Sequence, residues 1–302
     1  MHINSNLMRP VLAASLLLAA MPAAALNLFT CESEYAALAQ EIAPEATVFS
    51  ATTALQDPHH VQARPSLIAK LRRADLAICA GAELEIGWLP MLQMKANNAR
   101  VRDGQLGMLY ASDVVEPLGK LDHVDRSMGD VHAGGNPHFH FSPQRVGKIA
   151  VAIRDRLMAI DPANRSAYQA NWQDFDARWQ QATARWQLQA KPLQGHKVIA
   201  YHSSFMYLFD WLELEQIADL EPKPGVAPTA AHLATLLQRA QAQPPLAVIY
   251  TGYQDARGAN WLAKRANVTA LQLPFGPGVD GIDDLFALYD QVLTRLLQAQ
   301  QP

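Results

Sequence analysis

The chain has 302 residues, half of them hydrophobic, with 25 lysines and arginines against 28 aspartates and glutamates and a formal net charge of −3. That length accommodates two domains of ordinary size. The mildly acidic balance, with no basic patch, excludes nucleic acid as the expected partner.

Residues 1–25 have the layout of a secretory signal peptide: Arg9, then the apolar run "VLAASLLLAAM", then small residues from Ala23 to Ala25 as a cleavage site. The run is too short to span a bilayer, and no later segment approaches about 20 uninterrupted apolar residues. A soluble protein exported to the periplasm is therefore expected. A lipid anchor is not, because Cys31 follows "LFT" and lacks the small residue that lipoprotein processing requires.

From residue 26 the pattern alternates strand and helix. "LNLFTC" leads into "ESEYAALAQEIA", "ATVFSAT" into the loop "TALQDPHHVQARP", and the amphipathic "SLIAKLRRA" into "DLAICAGA". Short apolar runs alternating with helices predict a parallel α/β sheet. The two cysteines, Cys31 and Cys79, each close such a run. If those strands are neighbours, the cysteines can be bridged, and export to an oxidising compartment favours a disulfide over free thiols. Neither belongs to a CxxC pair, which weakens the alternative of a cysteine zinc site.

A long helix is predicted over 161–190, with Asp161 as its N-cap and Pro162 in its first turn. Tyr168, Trp172, Phe175, Trp179, Ala182 and Trp186 recur at spacings of four and three, forming one apolar stripe that is expected to pack against both halves of the molecule. Beyond it the α/β scheme repeats, from "HKVIAYH" to the closing helix "IDDLFALYDQVLTRLLQ". The expected fold class is α/β: an N-terminal lobe over 26–160, the linking helix over 161–190 and a C-terminal lobe over 191–302, each lobe a small parallel sheet flanked by helices.

Four loops at the carboxyl ends of predicted strands, where open α/β sheets place their ligands, carry metal-binding side chains. They hold His59 and His60; His138 and His140 in "GNPHFHFSP"; His202, which ends "KVIAYH"; and Asp280, Asp283 and Asp284 in "VDGIDDLF". Imidazoles with one carboxylate suit zinc, which takes four ligands in a tetrahedron. His196 and His232 have no polar cluster around them and read as structural or surface residues.

"DPHHVQARPSLIAKLRRADLAICAGAELE", "GNPHFHFSPQRV", "AYHSSFMYLFDWLELE" and "EPKPGVAPTAAHLATL" resemble, in order, segments of the zinc and manganese solute-binding proteins of bacterial ABC transporters. The resemblance covers nearly the whole chain after the signal. It implies two α/β lobes joined by a long rigid helix, with one metal ion between them. It assigns the first ligand to the histidine of a Pro-His dipeptide, His59, with His60 as the adjacent competitor. The second matches His138 of Asn-Pro-His and the third His202. Histidine at that third position implies zinc over Mn2+. The fourth is a carboxylate after the last strand, Asp280, with Asp283 as its substitute and Asp284 as a helix cap.

Many zinc-binding relatives carry a long His- and acid-rich loop that is only short here. Its remnant, His123, Asp125, Asp130 and His132, is a candidate auxiliary metal site. His140 stands where relatives have an aromatic residue and is expected to support the site, with a ligand role as its alternative. Glycines before His138 make its loop the expected moving part. The function implied is periplasmic Zn2+ capture and delivery to an ABC transporter permease in the inner membrane, by a monomer, with a periplasmic metallochaperone as a candidate donor. The rivals are a zinc-dependent hydrolase, against which no HExxH or GxSxG motif is found, and a zinc buffer or chaperone without a transporter.

Overall fold

The computed structural model describes residues 25–125, 128, 129 and 131–300. The expected signal peptide and Asp130 of the short loop lie outside the described residues, apart from Ala25. Two parallel four-stranded sheets form the frame. The first contains β1 (Asn27–Thr30), β2 (Thr47–Ser50), β3 (Leu76–Cys79) and β4 (Met108–Tyr110), in the order β2-β1-β3-β4. The second contains β5 (Lys197–Ala200), β6 (Glu215–Asp219), β7 (Ala247–Thr251) and β8 (Thr269–Leu273), in the equivalent order β6-β5-β7-β8. Central strands such as Leu76–Cys79 are buried at every position, as expected for a parallel sheet covered on both faces.

The covering helices are α1 (Ser33–Ile42), α2 (Pro65–Arg73), α3 (Leu89–Ala96), α4 (Pro143–Ile160), α5 (Arg165–Ala190), α6 (Met206–Leu212), α7 (Ala230–Ala242), α8 (Ala256–Ala266) and α9 (Leu285–Gln298). One apolar core runs from Leu28 and Ile78 of the first sheet through Trp179 and Trp186 of α5 to Val198 and Ile249 of the second. Separate clusters seal the outer faces, with α2 and α3 on the first sheet and α7 and α8 on the second.

The long helix forms as expected, with a boundary correction. Asp161 does not cap its backbone; its carboxylate accepts hydrogen bonds from Asn164 Nδ2 and Tyr168 Oη, both at 2.7 Å, while 3-10 turns at Pro162–Asn164 and Lys191–Leu193 flank α5. With 26 residues, α5 is about 39 Å long. Its apolar stripe packs on α1, α4 and α9, and Trp186 stacks on Tyr289 of α9 with ring centroids 4.7 Å apart. A helix buried against elements on both sides ties the two sheets into one core.

In each sheet the chain reverses its winding between the two central strands. That crevice is where open α/β sheets ordinarily admit ligands. In the first sheet it is closed covalently: β1 and β3 are parallel neighbours, and Cys31 and Cys79 at their ends form a disulfide with Cα atoms 4.8 Å apart. The cysteines are fully buried and are not available as metal thiolates.

Candidate metal centre

His59 lies in the loop after β2, in a turn organised by Asp57. Asp57 Oδ1 accepts hydrogen bonds from the His59 backbone N–H at 3.0 Å and stands 2.7 Å from His59 Nδ1. Trp88 Nε1 pins the same turn by donating to the Pro58 carbonyl at 3.0 Å. Burial alone would raise the Asp57 carboxyl, but the hydrogen bonds and charge of His59, with His60 behind it, hold it below its ordinary value. A carboxylate at Nδ1 fixes that proton and leaves Nε2 as the free electron pair, the tautomer a metal ligand needs.

His202, directly beyond β5, repeats the device. Its Nδ1 is 2.8 Å from Glu221 Oε2 at the end of the neighbouring β6, and the Gly225 N–H steadies that oxygen at 3.1 Å. His138 arrives differently. Its backbone N–H donates to Asn136 Oδ1 at 3.0 Å, Asn136 Nδ2 donates to the Ser203 carbonyl at 2.8 Å, and Tyr207 Oη donates to the Asn136 carbonyl at 2.6 Å. The His138 side chain is buried, and neither ring nitrogen has a hydrogen-bond partner. A buried polar atom without a partner costs about 1–3 kcal/mol. Burial, then His59, His202, His140 and His132, push its pKa well below the ordinary imidazole value, so the ring is neutral with a free electron pair.

One nitrogen from each of His59, His138 and His202 lies within 4.8 Å of the others. A cleft of about 360 Å³ opens onto His59 and His202, with Asp57, Glu221 and Asp255 among the residues lining it. The three side chains come from loops after β2, before α4 and after β5, so the group joins both sheets. Three imidazoles, two already backed by carboxylates, match the donor preferences of zinc.

His60, the competing first ligand, is exposed, with its ring 6.3 Å from that of His59, and is not in the group. His140 is buried but engaged elsewhere: Nε2 donates to the Phe275 carbonyl at 2.9 Å, and Nδ1 faces Glu34 Oε1 at 2.9 Å, a charge contact rather than a directed hydrogen bond. His123 is exposed and 4.0 Å from Asp125. His132, in contrast, is carried into the site, with Nε2 3.1 Å from His59 Nε2 and the rings stacked at 5.2 Å.

The expected carboxylate stands apart from this group. Asp280 is exposed in a left-handed turn (φ 55°), 3.8 Å from Arg295 Nη2, and does not join the histidines. Asp283 is also exposed, and Asp284 caps α9 through the Ala287 N–H at 2.7 Å. After β8 it is Phe275 that reaches the site, its ring 5.4 Å from His138; the chain then turns outward before Asp280. Gly135 has φ +101°, and a Cβ there would stand 2.7 Å from the Leu118 carbonyl oxygen, so it permits a close approach between two fixed segments. The histidine-backing carboxylates Asp57 and Glu221 were missed in the sequence, although Asp57 lies two residues before His59.

A family profile described as zinc-uptake complex component A, periplasmic, matches residues 29–299. The high-affinity zinc uptake system protein ZnuA of Yersinia pestis is 28% identical over 237 residues, covering 74% of each chain. A crystal structure of ZnuA superposes with TM-score 0.71 at 22% identity, over 90% of this chain and 99% of that one. A cadmium-bound periplasmic metal-binding protein from Candidatus Liberibacter asiaticus superposes with TM-score 0.73 at 17% identity, over 90% and 98%.

Proposed function

The chain belongs to the family of periplasmic zinc-uptake components, and from that membership we propose that it captures Zn2+ with His59, His138 and His202 in the cleft between its lobes and delivers the ion to an ABC importer. Members of this family are metal-binding transport components, not enzymes. The observation that carries the reading is the buried His138 ring, whose two unpartnered nitrogens lie beside two further imidazoles with nitrogens within 4.8 Å. A proton answers this arrangement poorly, because burial and neighbouring histidines oppose charging His138. A divalent cation answers it well.

Zinc is favoured over manganese because the clustered donors are nitrogens; manganese prefers carboxylate, carbonyl and water oxygens. Delivery is supported by the family description as part of an uptake complex. Export through the segment 1–25 and transfer to an inner-membrane permease complete the reading. Among the described residues no helix is long and apolar enough to cross a membrane.

Metal analysis after equilibration with equimolar zinc and gel filtration tests the site. The intact protein should retain one zinc per chain, and His59→Ala, His138→Ala and His202→Ala should each lose most of it. Stoichiometric zinc in all three variants would sink the assignment. Permease and ATPase genes beside this one would favour delivery, and their absence would favour a periplasmic buffer.

A further inference from the structure

We propose that His132 is the fourth metal ligand, so that the ion sits in a cage of four imidazoles from His59, His132, His138 and His202, with no carboxylate in contact with it. This rests on the zinc reading above and goes beyond it by naming the group that closes the coordination sphere.

The first argument is geometric. Two nitrogens bound to one tetrahedral zinc at about 2.0–2.1 Å stand about 3.3 Å apart. His132 Nε2 and His59 Nε2 are 3.1 Å apart, close to one edge of that tetrahedron, with the rings at an interplanar angle of 28°; His132 lies outside the group whose nitrogens are all within 4.8 Å of one another, so closing the cage draws it towards His138 and His202. The second argument is an inventory of protons. Asp57 holds the His59 Nδ1 proton at 2.7 Å, leaving an electron pair on His59 Nε2. Facing it, His132 either donates from Nε2 and leaves its buried Nδ1 without a partner, or presents a second electron pair that requires a cation between the two nitrogens. The Ala82 carbonyl faces the ring without reaching hydrogen-bond geometry at Nδ1.

The third argument concerns how His132 is held. The Ala133 N–H donates to Glu83 Oε2 at 2.9 Å, and the Gly135 N–H donates to the His132 carbonyl at 3.1 Å. These contacts anchor both sides of His132 on segments already fixed by the first sheet and the His138 loop. The carboxylates at the cleft are otherwise occupied, Asp57 on His59 and Glu221 on His202, while Asp280 is exposed beside Arg295. Four neutral imidazoles leave the ion its full double charge, with Asp57 and Glu221 as the nearest compensation through their histidines. Such a nitrogen-only set selects zinc, cobalt, nickel and copper over manganese, magnesium and calcium.

The test uses the full mature protein loaded with zinc, and separately with Co(II). X-ray absorption at the zinc edge should fit four imidazoles in the intact protein. In His132→Ala and His132→Gln it should fit three imidazoles and one oxygen, with affinity lowered at least tenfold and the intensity of the visible Co(II) bands changed. Asp280→Ala should leave all three readouts unchanged. Circular dichroism and thermal melting verify that the variants fold; the two His132 substitutions guard against a local packing artefact of either. An intact site with three imidazoles and one oxygen, or loss of a ligand in Asp280→Ala but not in the His132 variants, would overturn the proposal while leaving zinc capture standing. Failure of the intact protein to retain zinc would instead overturn the capture reading.

Discussion

Glu221 Oε2 lies 2.8 Å from His202 Nδ1 across the ends of two adjacent strands, β6 and β5. This contact sets the His202 tautomer and ring orientation before any ion arrives. Removing such a partner usually lowers metal affinity about 10–100-fold. Glu221→Ala should show a loss of that size in a zinc competition titration, with thermal stability of the zinc-free protein shifted far less. Glu221→Gln should lose less than Glu221→Ala, because its amide oxygen still accepts the Nδ1 proton. Equal affinity in Glu221→Ala and the intact protein would show that His202 is oriented by packing alone.

The Cys31–Cys79 disulfide joins the ends of β1 and β3 across a separation of 48 residues. Chain-entropy arguments put the stabilisation from closing a loop of that length at about 4 kcal/mol, with measured values ranging from about 0 to 5. The double variant Cys31→Ala/Cys79→Ala should melt several degrees lower by calorimetry. Its zinc affinity should stay within about threefold of the intact protein's, since His59, the one ligand inside the 31–79 loop, is held by Asp57 and by the Trp88 bond to the Pro58 carbonyl and not by the disulfide. A large affinity loss with an unchanged melting temperature would contradict both halves.

What was legible beforehand follows from how locally each feature is encoded. Strands such as "LAIC" and "AVIYT" are continuous apolar runs bounded by polar residues, and their burial follows from composition. The α5 stripe was visible because Trp179, Ala182 and Trp186 keep helical spacing. His59, His138 and His202 were legible as side chains in loops beyond strands or before a helix. The direction of a loop is not encoded that way. Asp280 looked equivalent to the histidines, but "FGPGVDG" turns after Phe275 and carries it to Arg295. Glu221 was hidden for the opposite reason: its role depends on β5 and β6 being neighbours, a pairing between segments that no local pattern specifies.

Glu85 is buried beside Glu32, where it accepts the Ala80 N–H at 2.7 Å and the Gly81 N–H at 3.1 Å. Burial pushes the Glu85 carboxyl up to about 7, while Glu32, raised by its own burial and by Glu85 and Glu34, lies well above its ordinary value. The folded protein thus holds protons that the unfolded chain has released above the ordinary carboxyl range. From about pH 4.5 to 7 this pair makes stability fall as pH rises. Glu85→Gln keeps an oxygen for the two backbone donors and cannot ionise. Denaturant melts should show the variant gaining on the intact protein as pH rises through this window, and parallel pH profiles would refute the linkage.

Two glycines flank His138 in sequence and demand opposite outcomes from the same substitution. Gly135 has φ +101°, and an added Cβ would meet the Leu118 carbonyl oxygen at 2.7 Å and Pro117 Cβ at 2.6 Å. Neither neighbour is the end of a flexible side chain. Relief therefore requires the backbone to shift, and Asn136, which positions His138, is the next residue. Gly147 lies within α4, where an added Cβ has nothing within 4 Å. Alanine there should stabilise the protein by about 0.5–1 kcal/mol by lowering the entropy lost on helix formation. Gly135→Ala should lower both stability and zinc affinity, the latter at least tenfold because His138 moves. Gly147→Ala should raise stability and leave affinity alone. If chemical denaturation and zinc competition ranked the two variants alike, the loop before His138 would be a flexible hinge instead of a fixed support.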